Sequence, residues 1–108
     1  MKPLSPERLQ DENLAHATTG GRSEDNCGLG FIPAFLDFET QTIYPSRFAN
    51  GLPAPFHVLD GLPENVVIDR APSGRVVAAK ATLISGFVRN GFFYTRTAAA
   101  RAAAEWRL

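Results

Sequence analysis

Few side chains in this sequence are of a kind that does chemistry, and their spacing limits what they could do. Cys27 and His57 could form a thiolate–imidazole pair, in which the ring nitrogen takes the thiol proton and leaves a nucleophile. Nothing around Cys27 predicts a nucleophile elbow or a helix start that would lower the thiol's pKa. His57 with Asp60, or His16 with its neighbouring acids, offers donors of the type that ligate metals. Two histidines and one cysteine without tight spacing do not make a closed zinc site. Asp37 and Glu39 would share one face of a strand and could form a carboxylate pair, although a plain solvated strand face explains them equally well. Gly28-Leu29-Gly30 lacks the further glycine and the preceding strand of a phosphate-binding loop. These residues predict no catalytic group, no metal site and no cofactor.

A second constellation lies near the end of the chain. Asn90-Gly91 is the preferred pair for a two-residue type I′ hairpin. Such a turn sets Arg89 opposite Phe92, Val88 opposite Phe93, Phe87 opposite Tyr94 and Ser85 opposite Arg96. Opposite residues share a face, so one face carries Ser85, Phe87, Arg89, Phe92, Tyr94 and Arg96, and the other Gly86, Val88, Phe93 and Thr95. Rings interleaved with guanidinium groups suit single-stranded nucleic acid, where bases stack on aromatics and arginines hold phosphates. With Arg101 from the following segment, Phe87, Arg89, Phe92, Tyr94 and Arg96 form the candidate binding set. The same mixture suits a protein hot spot. The competing expectation is that the rings are core, packed under a helix, with the arginines reaching past them to the edge. The sequence leaves open which face the helix takes.

The elements that must position these residues fit into 108 residues, enough for one core. Hydrophobic residues make up 44% and charged residues 20%, which excludes collagen-like, coiled-coil and wholly disordered chains. No apolar run is long enough to cross a membrane as a helix. The start, Met1 to Pro6, has no signal-peptide core, and one cysteine cannot make an internal disulfide, so a cytoplasmic location is expected. Residues 1–69 hold four basic and ten acidic side chains, and residues 70–108 seven basic and one acidic, so a net charge of zero hides a division. A basic C-terminal part can meet a polyanion or can be neutralised by its own acidic part.

The pattern predicts an α+β chain in two parts: residues 1–26, a weak polar helix (5–17) and linker, and residues 27–108, a single α+β domain. Ser5 would cap the first helix, Pro6 would take its first position, and Leu4 and Leu9 would staple it. Strands are expected over 29–39, with Pro33 at an edge or bulge, and over 42–44. The proline-rich stretch 45–63 reads as an ordered loop, with Phe48, Leu52, Phe56, Val58 and Leu59 packed inward and a short strand at 56–59. An antiparallel meander from about 66 to 96 follows, with one long strand over 75–89 bent at Ser85-Gly86. Thr97 would cap a final alanine-rich helix over 98–106, packed on the sheet through Ala99, Ala102, Ala103 and Trp106.

Two resemblances add to this. Cys27-Gly28-Leu29-Gly30-Phe31-Ile32-Pro33 and Ser46 to Pro55 resemble parts of short uncharacterised proteins of proteobacterial plasmids and integrative elements, which implies a bacterial mobile-element gene and brings no activity with it. Gly91 to Thr97 followed by Ala98 to Trp106 is similar to the close of the arm-type DNA-binding domains of phage integrases, which implies an antiparallel sheet before a C-terminal helix. Ala98 and Ala99 stand where that family carries an acidic residue. The leading expectation is a non-enzymatic intracellular binding protein with a protein partner. The second is binding of single-stranded nucleic acid through residues 85–107, and the third a small cysteine hydrolase.

Overall fold

The computed structural model describes residues 3–15 and 30–106, with backbone alone at 13–15 and 103–106. The linker, His16, Cys27, Gly28-Leu29 and the side chains of Ala103 and Trp106 lie outside what is described, as do the expectations placed on them. The chain is α+β: helix α1 (Pro6–Ala15), strands β1 (Ile32–Asp37), β2 (Thr42–Pro45), β3 (Val67–Arg70), β4 (Val76–Ala79), β5 (Leu83–Arg89) and β6 (Phe92–Thr95), and helix α2 (Arg96–Trp106). Every strand pairing is antiparallel, and the strands form a four-stranded sheet in the order β2-β1-β5-β6 and a two-stranded sheet β3-β4.

Helix α1 starts where its sequence signals place it. The Ser5 hydroxyl accepts the Arg8 amide at 3.2 Å, which satisfies one of the otherwise orphaned first-turn donors. Leu4 and Leu9 are both buried in the main core. Leu4 also exchanges two backbone hydrogen bonds with Ala79 at the end of β4 (2.8 and 3.0 Å). A helix with a thin apolar stripe is thereby docked at its first turn.

Pro33 falls in β1, an inner strand and not the edge expected of it. The register shows why this is tolerated. The Pro33 carbonyl accepts from Ser46, one residue past the end of β2. A residue's N–H and C=O point to the same side of a strand, so the missing donor faces the place where β2 has already ended.

The 66–96 stretch supplies two consecutive hairpins, but they belong to different sheets. The single long strand expected over 75–89 is broken at Lys80-Ala81-Thr82. There Lys80 donates its amide to Val66, Leu83 bonds back to Lys80, and Phe38 bonds to Thr82. The Lys80 ammonium reaches the Asp37 carboxylate at 3.0 Å and Glu39 at 3.5 Å. β5 then leaves β4 and pairs along β1, from Ile32–Val88 to Asp37–Leu83. Periodicity could not reveal this break, because Lys80 to Thr82 carries no turn chemistry of its own.

Phe35 and Leu83 face the main core, with Leu4, Leu9, Leu59, Leu62, Val66 and Val76. Phe87 faces a smaller core with Phe31 and Ala99. Helix α2 therefore covers the Phe87–Tyr94 side of the sheet, leaving Val88 and Phe93 half-buried on the other. Its cap is Thr95, whose hydroxyl accepts the Ala98 amide at 3.1 Å, so the helix begins two residues before the position predicted from Thr97. β5 runs through Ser85 and Gly86 without a break or a register shift. A Cβ at Gly86 would overlap the Tyr94 carbonyl oxygen and sit 2.5 Å from Phe93 Cζ. Gly86→Ala is expected to unseat β6 and lower stability by about 2 kcal/mol or more, because backbone must move. A thermal melt of that variant beside the wild type checks it.

Candidate functional site

The hairpin turn forms as its residues dictate. Asn90 and Gly91 both have positive φ (53° and 83°), the type I′ requirement, and β5 and β6 pair Arg89–Phe92, Val88–Phe93 and Phe87–Tyr94. The proposed face therefore exists as a register, but most of it points inward. Phe87 is fully buried and Arg96 is 3% exposed. Tyr94 and Arg89 are half-buried, while Phe92 and Arg101 are exposed. The rings contact one another: Phe31 meets Phe87 edge-on at 6.1 Å and Tyr94 at 5.2 Å, and the Arg89 guanidinium lies 5.7 Å over the Phe31 ring. The six candidates do not make one displayed strip.

Arg96 belongs instead to a polar chain inside the protein. The α2 start turns its side chain back along β5, so that Nε donates to Ser85 Oγ (3.2 Å) and Nη2 lies 3.1 Å from His57 Nδ1. Ser85 Oγ donates in turn to the Glu12 carboxylate at 2.8 Å. His57 Nε2 lies 2.6 Å from the Gly86 carbonyl oxygen. A guanidinium has no acceptor, so Nδ1 must be the bare nitrogen and Nε2 the protonated one. The imidazole is held neutral between the rings of Phe35 and Phe87 (5.4 and 5.3 Å). Burial, then the positive Arg96, pushes its pKa down to about 3, against the pull of the carbonyls of Gly86 and Ala34. Burial also lowers the Arg96 pKa, and the Glu12 charge opposes that. With both nitrogens engaged, His57 is not positioned to accept a substrate proton.

The other chemistry-bearing residues are likewise held in pairs. Asp60 accepts the Val76 amide at 3.1 Å and faces Arg75 at 3.5 Å, so it does not join His57 in a ligand set. Among the described residues no cluster of three histidine, cysteine or carboxylate groups converges. Asp37 and Glu39 do not share a strand face as expected, because β1 ends at Asp37 and Glu39 stands in the turn beyond. Asp37 is 1% exposed. Burial raises its pKa, but the hydrogen bond from Lys80 and that from the Glu39 amide outweigh it and hold it below the ordinary carboxylate value.

The stretch after β2 displays apolar side chains, Phe48, Leu52 and Phe56, that sequence reasoning placed inside. The loop after β2 is a small arm. Arg47 bridges Pro53, Phe48 bonds to Leu52, and Ala54 bonds back to Ser46. Ser46 Oγ and the backbone of 56–58 tie the arm's base down, with no strand at 56–59. Leu59 and Ala54 are buried as a packed loop requires, but Leu52 is 60% exposed, and Phe48 and Phe56, stacked edge-on at 5.7 Å, are exposed too. Beside the arm, Gly30 to Pro33 and Pro53 to Pro55 line an open groove of about 370 Å³. Ile32 is exposed on its wall and continues across the register to Val88 and Phe93 on the outer sheet face. No signal in the sequence separates Leu52 from Leu59, because both are leucines in a proline-rich loop.

No protein-family model, curated protein or solved structure matches the chain. The geometry alone must therefore say what this surface is for. Among the described residues, no helix is long and apolar enough to cross a membrane.

Proposed function

We propose that this chain is a non-enzymatic intracellular binding protein that acts through a protein partner, and that the groove and arm are its contact surface. The observation that carries this is an open groove walled by the exposed Ile32 with Pro33, Pro53 and Pro55, with the exposed Leu52 and Phe56 next in the chain to Pro53 and Pro55. Scattered exposed apolar residues are ordinary, but a contiguous set around a concavity is how docking surfaces look. Prolines keep such a wall rigid, so little conformational entropy is lost on binding. The paired state of His57, Asp60 and Asp37 supports the same reading, since none is poised for proton transfer. A mobile-element origin is in keeping with it and rests on the resemblance alone.

The nucleic-acid alternative draws on Phe92 and Arg101, which are exposed, and on Arg89 and Tyr94, which are half-buried. Burial of Phe87 and Arg96 weakens it. Pull-downs from nuclease-treated host lysate, with the full chain and with an Ile32→Thr/Leu52→Ser variant, distinguish the two. One protein recovered by the wild type and at least tenfold depleted with the variant is the expected result. Equal recovery by both, or recovery that disappears with nuclease, overturns the proposal.

A further inference from the structure

We infer that two copies of this chain pair through the outer face of the four-stranded sheet, packing sheet on sheet. This goes beyond the groove and its partner and does not rest on them. The register sorts the outer side chains into rows. Ile43, Leu36 and Ile84 stand side by side on β2, β1 and β5, and Ile32, Val88 and Phe93 on β1, β5 and β6. Between these rows run Pro45, Ala34, Gly86 and Thr95. None of the three rows holds a charged side chain. The Phe93 ring takes the room that a Gly86 side chain would need, which closes the middle row.

An antiparallel sheet with one solvated face alternates apolar and polar residues along its strands. β1 and β5 do not. Their inward Phe35, Leu83 and Phe87 are core, and their outward residues are apolar as well. None of the six large outer side chains joins either core; five are half-buried and Ile32 is exposed. Helix α2 lies on the opposite side, over Phe87 and Tyr94. Size and charge together favour a second copy as the occupant. At about 4.8 Å between strands and about 3.3 Å per residue, such a face presents roughly 400 Å² in plan, as much apolar surface as a monomer ordinarily leaves open. Two of them together cover roughly 800 Å² before side-chain relief is counted, the scale of a reversible dimer and not of a permanent one. In a two-fold pair the same surface meets itself, so a charge on it would approach its own kind. A face without charge meets that condition, and apolar antiparallel sheets stack about 10 Å apart. A charged partner, nucleic acid included, finds no counter-charge here.

Sedimentation velocity of the full chain from 5 to 500 µM tests this, with reductant present so that Cys27 cannot link copies. The expected result is a reversible shift from monomer to dimer, with an affinity that changes less than twofold between 50 and 300 mM salt because no charges meet. Ile84→Lys, in the row away from the groove, should weaken the dimer at least tenfold. Val88→Thr, which replaces a methyl by a hydroxyl at nearly constant shape, should weaken it at least threefold. Val77→Lys charges an exposed position on β4, in the other sheet, and should leave it unchanged. Thermal melts establish that each variant is folded, and Val88→Thr decides the matter if Ile84→Lys is not. A monomer at every concentration overturns the inference. So does a dimer indifferent to Val88→Thr, one weakened equally by Val77→Lys, or one weakened several-fold by salt. A monomer whose pull-down partner is lost in Ile84→Lys also overturns it, and gives the face to that partner.

Discussion

Lowering the pH from 7 towards 4 is expected to destabilise this protein through one side chain, His57. In the folded chain its pKa is pushed down to about 3, first by burial and then by Arg96, whereas in the unfolded chain it stays near 6.5. The unfolded state therefore takes up a proton that the folded state refuses. The stabilising contribution is complete above the unfolded value and is lost progressively as pH falls from about 6.5 towards 3, at up to roughly 1.4 kcal/mol per pH unit. Asp37 acts in a separate, lower window. Its pKa lies below the ordinary 3.8, so its contribution holds above that value and is lost only as pH falls beneath it. Urea unfolding at pH 7, 6, 5 and 4 should show a loss of a few kcal/mol in the wild type. His57→Gln retains a donor for the Gly86 carbonyl and an acceptor for Arg96 but does not titrate, so its stability should be nearly flat over that range. Parallel curves for the two proteins would show that the acid sensitivity arises elsewhere.

The second large effect is expected at Arg96. Arg96→Met should cost about 3 kcal/mol, since it leaves His57 Nδ1 as a buried acceptor with one partner removed and strips the Ser85 hydroxyl of a donor. Arg96→Lys should recover little, because one ammonium does not reproduce the fork that meets Ser85 and His57 together. The network makes a further demand. His57→Phe combined with Arg96→Met should cost less than the sum of the two single changes by about 1 kcal/mol or more, because the second change removes a group that the first has already orphaned. Chemical denaturation of the four proteins measures this. Additivity within about 0.5 kcal/mol would mean that the two residues are energetically independent.

Both effects depend on a residue that the sequence alone assigns to another task. Arg96 reads as a phosphate-binding group on a hairpin face, and the register that put it beside Ser85 is the register of the folded chain. The difference lies in which side of the sheet is inside. Ala99 and Ala102 let α2 lie close on Phe87 and Tyr94, so the ring-bearing face became core and its arginine was buried with it. The guanidinium is tolerable there because Glu12 reaches the same spot through Ser85, and no local pattern links positions 12, 57, 85 and 96. The exposed arm is a comparable case. Phe48, Leu52 and Phe56 are as apolar as Leu59, but Ser46 anchors the loop base so that only part of it can turn inward.

By itself the sequence determined what local chemistry controls. These features are the Ser5 cap with Leu4 and Leu9 beneath it, the Asn90-Gly91 turn and the pairing it imposes, the antiparallel α+β character, and a final helix of alanines. Each follows from φ preferences, a side-chain acceptor near free amides, or alternation along a strand, all of which act over a few residues. The tertiary structure decided which face of β5 and β6 is buried, that β5 leaves β4 for β1 at the Lys80 turn, and that the groove beside the arm stays open. Those outcomes depend on groups brought together from distant parts of the chain, Lys80 with Asp37 and Arg96 with His57, and the free energy of burying a charge depends on whether its partner arrives at the same place.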